Sequence, residues 1–342
     1  MSDGGRGCRR PHDDGMPNRI DITDVRSLLR TRGELLVKGH TEREIGSRVA
    51  AGSLRRVRRG RYVEADRWDG LWNEGRHLVE VVATALNSDG PGPVFWGPSA
   101  AVLHGVPLYR LAPRKVHVVI AGARHGRTRS GVMWHDVEVP PAEVVDVDGI
   151  RCTSLDRTIL DLACSTREEV GLSAADAALR REAVSGQVQD SGAVEGWRAR
   201  MMVRALLSHS RGVRRARRVI EFADGRAQLP GESVSRLQLH RLGFAAPELQ
   251  VHVRGPGGED YWVDFGFRRS HCFGEFDGED KYRDAILRRG RSVEEVVLEE
   301  KRREDAIRGV TGWRMVRWGS SDIASPDALG ATLSAYGIRP PG

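Results

Sequence analysis

Two short apolar segments that carry carboxylates constrain the fold of this chain more than any other feature. Residues 262–267 and 272–276 alternate aromatic or apolar side chains with polar ones between turn residues, which is the pattern of β-strands. Asp264 lies on the first segment, Glu275 lies on the second, and Asp277 follows two residues later. An extended chain points Glu275 and Asp277 to one face of a sheet. These segments therefore predict a sheet on which several carboxylates meet.

Carboxylates that converge in this way repel one another unless a positive group lies between them. Hard divalent cations such as Mg²⁺ take oxygen ligands of this kind, so the three acidic residues predict a metal site. Lys281 lies just beyond them. The alternative is a solvated strand edge whose charges deter aggregation. That alternative explains isolated charges, but it explains poorly why Asp264 stands between Val263 and Phe265.

The charge balance points to a nucleic-acid partner. The 342 residues carry a formal net charge of +7, and most of the positive charge is arginine, whose planar guanidinium suits phosphate. A GC-rich genome, which favours arginine over lysine, is an alternative cause. Because 39% of the residues are hydrophobic, the chain can build a packed core, and its length allows two or three domains.

Cysteine spacing and hydropathy argue against several classes of protein. Cys8, Cys152, Cys164 and Cys272 lie far apart with no Cys-x-x-Cys pair, which argues against a zinc site and a disulfide framework. No apolar run is long enough to span a bilayer, and the N-terminus lacks the apolar segment of a signal peptide. We therefore expect a cytoplasmic protein with no membrane partner.

The N-terminal sequence predicts a disordered tail over residues 1–18 and a winged helix-turn-helix over residues 19–66. Apolar residues at helical spacing predict one helix near residues 22–29, and a capping box of Thr41 and Glu44 begins a second. Residues 54–63 predict an arginine-rich β-hairpin. A helix for the major groove and a basic wing for the phosphates would bind DNA. The candidate DNA-contacting residues are Arg43, Arg55, Arg56, Arg58, Arg59 and Arg61.

The order Thr41-x-x-Glu-Ile-Gly-x-x-Val-x-x-Gly-x-Leu-x-x-Val-x-x-Gly-x-Tyr-Val in this segment resembles the N-terminal winged-helix domain of the type IV antitoxin (AbiEi-like) family. Two later patterns, Ser-Ala-Ala-x-Leu-His-Gly and Thr-Ser-x-x-Arg-Thr-x-x-Asp-Leu-Ala, extend the resemblance to about residue 183. The resemblance implies an antitoxin-like α/β region over residues 67–196 and a cognate toxin as a further candidate partner. The alternative reading of the hairpin arginines is an ordinary solvated face.

The middle region shows no catalytic constellation in its sequence. His104, His117 and His135 stand isolated, and we interpret each as a packing or hydrogen-bonded residue rather than a metal ligand. Residues 184–196 are polar and contain glycine, as in a loop, and a basic connecting helix is predicted within residues 197–228. Its arginines would track a phosphate backbone or form a solvated helix face.

Residues 229–324 predict a helix, a three-stranded meander, a helix and a strand, and residues 325–342 a C-terminal tail. That order is the core of a restriction-endonuclease-like fold, so the expected class is α/β (α+β) with a central mixed sheet flanked by helices. This part of the chain contains, in order, Glu232, Val263-Asp264-Phe265, Gly274-Glu275-Phe276-Asp277-Gly278, Lys281-Tyr282 and Glu300-Lys-Arg-Arg-x-Asp305. In these residues the chain resembles the PD-(D/E)XK nuclease superfamily and, within it, the very-short-patch-repair (Vsr-like) endonucleases.

The resemblance implies a catalytic role for five of these residues. Asp264 and Glu275 would hold Mg²⁺ or Mn²⁺, which activates a water for attack on the phosphate, and Glu232 would support the metal. The family's usual lysine, two residues after the glutamate, is replaced here by Asp277. Either Lys281 reaches back to replace that lysine, with Asp277 as a further acidic ligand, or the site has lost activity.

The same resemblance implies that Lys301, Arg302 and Arg303 contact the nucleic-acid backbone from the helix that follows. Together these features predict a DNA-binding protein whose C-terminal module hydrolyses DNA phosphodiesters with a divalent metal. A non-catalytic transcriptional regulator or antitoxin that binds DNA is the alternative. A nuclease that acts on RNA is a third reading of the same residues.

Overall fold

The structure, a computed structural model, describes residues 20–120, 131–278 and 292–340. It combines helices with several sheets, which confirms the predicted α/β class. The predicted N-terminal tail and Lys281 lie outside the described residues. Within the described ranges, no helix has both the length and the apolar character needed to cross a membrane.

The N-terminal part forms three helices and a three-stranded sheet of strand order β1-β3-β2. Its elements are α1 (Ile22–Leu28), β1 (Arg30–Thr31), α2 (Arg32–Val37), α3 (Glu42–Ala50), β2 (Leu54–Arg58) and β3 (Arg61–Glu64). The sequence prediction lacks α2, because six residues are too few for helical spacing to be seen. A capping box of Thr31 and Glu34 begins α2, and Thr41 and Glu44 begin α3 in the same way, as predicted.

The middle region opens with helices that lead into a five-stranded sheet of order β6-β5-β4-β8-β7. The elements are α4 (Ala65–Asp69), α5 (Asn73–Ala85), β4 (Val94–Phe95), α6 (Pro98–Leu103), β5 (Val116–Val119), β6 (Val132–His135), β7 (Val144–Val147) and β8 (Ile150–Thr153). Helices α7 (Leu155–Ser165) and α8 (Glu168–Ala183) follow. Buried apolar side chains of α5, α6, α7 and α8 form one core cluster with this sheet.

The predicted loop and single basic helix after residue 183 differ from the structure. Residues 184–190 contain a hairpin of β9 (Val184–Ser185) and β10 (Val188–Gln189), and helix α9 (Ser191–Leu207) already begins at Ser191. A second helix, α10 (Val213–Phe222), starts after a break at Gly212, whose φ of 86° is left-handed. A Cβ at Gly212 would lie 2.1 Å from the carbonyl oxygen of Cys164, so only glycine permits this close approach.

The C-terminal part has the predicted order of a helix, a meander, a helix and a strand. Its elements are α11 (Pro230–Arg241), β11 (Glu248–Arg254), β12 (Asp260–Phe267), β13 (Cys272–Phe276), α12 (Val293–Thr311), β14 (Arg314–Trp318) and α13 (Pro326–Ala335). The strands stand in the order β11-β12-β13-β14, with the first two pairs antiparallel and the last pair parallel. Helices α11 and α13 pack with one core cluster of the sheet, and Ile307 of α12 packs with another.

The end of the chain is part of this domain, where the sequence analysis predicts a tail from residue 325. Ser325 caps α13, and Leu329, Leu333 and Ile338 are buried against the sheet. Leu329 and Leu333 are four residues apart, which is the spacing of one helix face. A helix of only ten residues, however, leaves a weak pattern in the sequence. The domain therefore extends at least to Ile338.

Helix α11 packs against both the middle region and the C-terminal sheet. Arg236 of α11 forms a buried ion pair with Asp176 of α8, with 2.7 Å between Nη1 and Oδ2. Leu237 belongs to the core cluster of the middle region, whereas Val234 and Leu239 belong to that of the C-terminal sheet. The helix that carries Glu232 is thus held from two sides.

Candidate metal site and nucleic-acid interface

Glu232 lies in the first turn of α11, where the positive end of the helix dipole favours a carboxylate. Pro230 begins the helix, and the backbone N–H of Gln228 donates to Oε2 of Glu232 at 2.9 Å. Gly231 allows the helix to approach β13, because a Cβ there would lie 2.0 Å from the ring of Phe276. The side chain of Glu232 is therefore buried beside the sheet.

Asp264 lies on β12 and reaches the end of the neighbouring strand. Its Oδ2 accepts the backbone N–H of Phe276 at 2.9 Å, and a carboxylate acceptor of this kind fixes the side chain firmly. Glu232 and Asp264 are joined by Gln250 of β11, whose Nε2 lies 3.3 Å from an oxygen of each carboxylate. The structure thus brings these two predicted metal ligands together around one amide nitrogen.

Glu275 lies on β13 and is 2% exposed. Its Oε1 is 2.6 Å from Nη1 of Arg303, and its Oε2 is 3.2 Å from Nη2 of Arg317. The second contact lacks hydrogen-bond geometry, so Oε2 is buried without a hydrogen bond among the described residues. Burial raises the pKa of Glu275, Arg303 opposes that rise, and the nearby Asp264 carboxylate adds to it.

Asp277 shares Arg317 with Glu275, with 3.8 Å between Oδ2 of Asp277 and Nη1 of the arginine. Its backbone N–H donates to the carbonyl oxygen of Trp318, which continues the parallel pairing of β13 and β14. The two carboxylates therefore reach a common partner, as their spacing predicts. Whether Lys281 replaces the expected lysine stays a prediction, because that residue lies outside the described ranges.

We call Glu232, Asp264 and Glu275 the C-terminal acidic cluster. Hard divalent cations prefer carboxylate oxygens, so Glu232 and Asp264 have suitable chemistry. The orphaned Oε2 of Glu275 is a further oxygen of the same kind. In residues 20–120, 131–278 and 292–340, however, no three acidic, histidine or cysteine side chains converge closely enough to enclose an ion as they stand. Glu275 points to arginines, whereas Glu232 and Asp264 are already together.

Sequence reasoning missed Gln250 and misplaced Arg303. A single glutamine in a strand carries no pattern, and Gln250 shows its special place only through its left-handed φ of 50°. Arg303, predicted to contact nucleic acid, instead pairs with Glu275 and donates to the carbonyl oxygen of Trp262 at 2.6 Å. Its neighbours Lys301 and Arg302 are exposed on α12, where contact with a phosphate backbone is open to them.

The six arginines of the N-terminal part that the sequence predicts to contact DNA fall into two groups by their contacts. Arg58 donates to Thr84 and to the carbonyl oxygen of Gly131, and Arg61 donates to Asn87 and to the carbonyl oxygen of Leu86. Both are half-buried against the middle region, and burial lowers the pKa of Arg58.

The remaining four arginines are exposed. Arg55 lies over the ring of Trp68, with its Cζ 4.4 Å from the ring centroid, in a cation–π contact. Arg43 lies on α3, and Arg56 and Arg59 lie on the hairpin. Arg56 and Arg59 also line an open groove of about 820 Å³ between α3, the hairpin and the end of α5. The basic surface available to DNA is therefore smaller than the sequence predicts.

Two proteins of Mycobacterium tuberculosis, named Uncharacterized protein Rv2248 and Uncharacterized protein MT2308, are similar to this chain. Each is 30% identical to it over 219 residues, which cover 60% of this chain and 74% of the relative. The chain belongs to their family. No protein-family model matches the chain.

The histidines of the middle region are less isolated than their sequence positions suggest. Nε2 of His135 lies 3.0 Å from Nδ1 of His117, and Trp96 packs on His135 with 4.2 Å between ring centroids. His104 lies 2.7 Å from the carbonyl oxygen of Thr153 through Nε2. The prediction of hydrogen-bonded histidines is confirmed, and the description of these three as isolated is wrong for His117 and His135.

A fourth histidine, His77, is buried beside this pair. Its Nε2 lies 2.9 Å from the hydroxyl of Ser99, which also accepts the backbone N–H of His117 at 2.8 Å. Burial lowers the pKa of His77 to about 3, and burial together with His135 lowers that of His117 to about 4. Neutral imidazoles at pH 7 with packed hydrogen-bond partners indicate a structural role for this group.

Proposed function

We propose that this chain is a DNA-binding protein whose C-terminal module is a metal-dependent endonuclease that hydrolyses DNA phosphodiesters. The observation that carries the proposal is the meeting of Glu232 and Asp264. One comes from a helix and the other from a strand, and both carboxylates converge on the amide of Gln250 beside the buried Glu275. The order of elements supports the proposal, because it is the order of helix, meander, helix and strand that the resemblance to the nuclease superfamily implies.

The proposed cofactor is Mg²⁺ or Mn²⁺, held by Asp264 and Glu232 with Glu275 as the third acidic residue. When bound, such an ion polarises the scissile phosphate and lowers the pKa of an attacking water. Asp264 is fixed for this task by the N–H of Phe276, and Glu232 by the N–H of Gln228. Arg303 and Arg317 orient Glu275, and each guanidinium opposes the rise in its pKa that burial causes.

The proposed DNA contacts come from two surfaces. Arg43, Arg56 and Arg59 supply exposed positive charge in the N-terminal part, and Lys301 and Arg302 supply it on α12, the helix whose Arg303 pairs with Glu275. Phosphate contacts of this kind position a duplex without reading its sequence. A cytoplasmic location is part of the proposal, and the resemblance to type IV antitoxins adds a toxin as a candidate partner.

A non-catalytic DNA-binding regulator is the second candidate. Two observations favour it: Asp277 occupies the position of the usual lysine, and Glu275 already has two arginine partners. Under this proposal the nuclease-like module would bind DNA, and the arginines would permanently neutralise the carboxylate that a metal would otherwise contact.

Cleavage of supercoiled plasmid by purified protein separates the two candidates. We expect the wild type to nick or linearise DNA with Mg²⁺ or Mn²⁺ but not with EDTA, and Glu275→Ala to lose that activity. The matched control is Asp305→Ala, which removes an exposed carboxylate from α12 and should leave cleavage unchanged.

The comparison of the wild type with Glu275→Ala also shows whether observed cleavage comes from this protein or from a contaminating nuclease. Equal cleavage by the wild type and Glu275→Ala would contradict the site assignment. The regulator is favoured if neither protein cleaves DNA while both bind it with an affinity that falls steeply as salt is raised.

A further inference from the structure

Gln250 occupies an unusual place in the C-terminal sheet. It lies in the middle of β11, between Leu249 and Val251, which pair with Phe265 and Val263 of β12. Its φ of 50° is left-handed, a conformation that residues other than glycine rarely adopt inside a strand. Yet the residue is a buried glutamine, 7% exposed, rather than a glycine. A side chain kept at such a position needs a reason.

The hydrogen bonds of Gln250 supply that reason. An ionised carboxylate only accepts hydrogen bonds, so the NH₂ group of Gln250 must face Glu232 and Asp264. Its carbonyl Oε1 then faces the other way and accepts from Nε2 of Gln228 at 3.0 Å. Both hydrogens and the oxygen of the amide are therefore in use, and the carboxylates determine which way the amide points.

The chain of amides continues into the middle region. Nε2 of Gln228 also donates to Oε1 of Gln187 at 2.8 Å, and the backbone N–H of Gln228 donates to Glu232. Gln187 lies in the turn of the β9–β10 hairpin. A series of three glutamines thus connects that hairpin to the two carboxylates.

We propose that Gln250 is a positioning residue of the C-terminal acidic cluster. Its amide holds the carboxylates of Glu232 and Asp264 directed at one point, and Gln228 and Gln187 hold the amide in turn. The inference rests on the proposed function, since it assigns Gln250 to the metal site of the same module. The inference adds that Gln187 of the β9–β10 hairpin supports the metal site through Gln228. The middle region therefore contributes to the site of the C-terminal module.

The chemistry of the amide explains why glutamine suits this position. A neutral NH₂ group can donate to two carboxylates at once and reduce their repulsion without adding a charge that would exclude a cation. A lysine would compete with the metal, and a glutamate would add a further repelling carboxylate. Partners that orient metal ligands in this way commonly change metal affinity by about 10- to 100-fold when they are removed.

The test is the affinity for Mn²⁺, measured by titration with electron paramagnetic resonance detection of the free ion, in full-length protein without DNA. We expect Gln250→Met, which keeps the length of the side chain but has no donor, to weaken Mn²⁺ binding by about 10- to 100-fold. The matched control is Gln238→Met. Gln238 is a buried glutamine of α11 that donates to the carbonyl oxygen of Ile323, outside the amide chain. The Gln238→Met variant should bind Mn²⁺ with the affinity of the wild type.

A second variant keeps the test decisive if Gln250→Met folds poorly. Gln187→Met changes only the half-buried far end of the amide chain, and we expect a smaller loss of Mn²⁺ affinity, below about 10-fold. Thermal unfolding of all three variants shows whether each is folded at the titration temperature. A Gln250→Met protein that is folded and binds Mn²⁺ like the wild type would overturn the inference, as would equal losses in Gln250→Met and Gln238→Met.

Failure of the inference and failure of the proposed function give different results. If the wild type binds Mn²⁺ but cleaves no DNA, the catalytic proposal fails, and the affinities of the variants still decide the role of Gln250. If the wild type binds Mn²⁺ and cleaves DNA while Gln250→Met matches it in affinity, only the role of Gln250 is overturned. If the wild type binds no Mn²⁺ at millimolar concentration, both are overturned.

Discussion

Two groups of carboxylates in the described part of the chain are neutralised in different ways. In the middle region, three arginines of α7 and α9 pair with four carboxylates of α7, α8 and the segment before β7. We call this set the middle arginine network, and its members are Arg157, Arg200, Arg204, Glu143, Asp156, Asp161 and Glu182. In the C-terminal acidic cluster, by contrast, Glu232 and Asp264 share a neutral amide, and one oxygen of Glu275 lacks a hydrogen bond within the described part of the chain.

The difference indicates different tasks. Arg157 shows how the middle arginine network is built: it contacts Glu143 at 2.7 Å, Asp161 at 2.9 Å and the carbonyl oxygen of Glu138 at 3.2 Å. Full pairing of this kind fixes elements to one another and leaves no capacity for a ligand. In the C-terminal acidic cluster, Oε2 of Glu275 has no hydrogen bond among the described residues. We therefore assign a stabilising role to the middle arginine network, whereas the proposed function gives metal binding to the C-terminal acidic cluster.

The largest expected effect is on stability, from Arg157→Met. The substitution leaves the buried Asp161 without its ion-pair partner, and breaking a buried pair commonly costs about 3–5 kcal/mol. Urea unfolding of the variant should show this loss, with Mn²⁺ affinity unchanged. The control is Arg200→Met, whose side chain is 42% exposed and whose loss should cost below about 1 kcal/mol. A loss of Mn²⁺ binding in folded Arg157→Met would contradict the claim that the middle arginine network acts on stability alone.

The next effect is a gain of stability from Glu275→Gln. Because burial raises the pKa of Glu275, the folded state binds a proton more tightly than the unfolded state, and ionisation at higher pH costs stability. The amide removes that cost, and Arg303 and Arg317 keep Glu300 as a partner. We expect a gain of about 1 kcal/mol at pH 8.

The pH dependence of that gain is the measurement that checks its cause. The advantage of Glu275→Gln should shrink as the pH falls through the raised pKa, and it should disappear below the ordinary value of 4.5, where the carboxyl of the wild type is neutral in both the folded and the unfolded state. Chemical unfolding at several pH values follows it. A variant less stable than the wild type at every pH would place Glu275 with the structural carboxylates instead.

Much of this comparison could be predicted from the sequence, because alternation and turn residues are local. The positions of Asp264 and Glu275 on paired strands follow from such patterns, and so does the helix before them that carries Glu232. The partners of these carboxylates could not be predicted in the same way. Arg303 contacts Glu275 only because α12 packs across the sheet, and its sequence neighbours Lys301 and Arg302 carry the same charge.

Gln250 shows the same limit more sharply. Its role depends on a backbone angle and on two carboxylates from other elements. The sequence on either side of Gln250 shows no pattern from which these could be predicted. The break at Gly212 and the short helix α2 were missed for a related reason. The break depends on the close approach of Gly212 to Cys164, and α2 depends on the cap formed by Thr31 and Glu34. Helical spacing of apolar residues indicates neither.

Arg303→Met is expected to change metal affinity moderately and tests whether Arg303 competes with a cation. The guanidinium lies 2.6 Å from Glu275, so its removal should strengthen Mn²⁺ binding by about 5-fold, equivalent to roughly 1 kcal/mol. The control is Arg302→Met, an exposed neighbour that should leave Mn²⁺ affinity unchanged and weaken DNA binding. Weaker Mn²⁺ binding in Arg303→Met would instead make the arginine a support of the site.

The smallest expected effect concerns the N-terminal part, where structural contacts occupy Arg58 and the exposed arginines are the proposed DNA contacts. Arg56→Ala and Arg59→Ala should each lower the slope of log affinity against log salt by about 0.9, the value for one lost phosphate contact on duplex DNA. Arg58→Ala should leave the slope unchanged and lower the melting temperature, because its guanidinium is occupied by Thr84 and Gly131. Fluorescence anisotropy on a random duplex at several salt concentrations measures the slopes. An unchanged slope for both exposed variants, with a reduced slope for Arg58→Ala, would mean that DNA displaces the packing of the hairpin on the middle region.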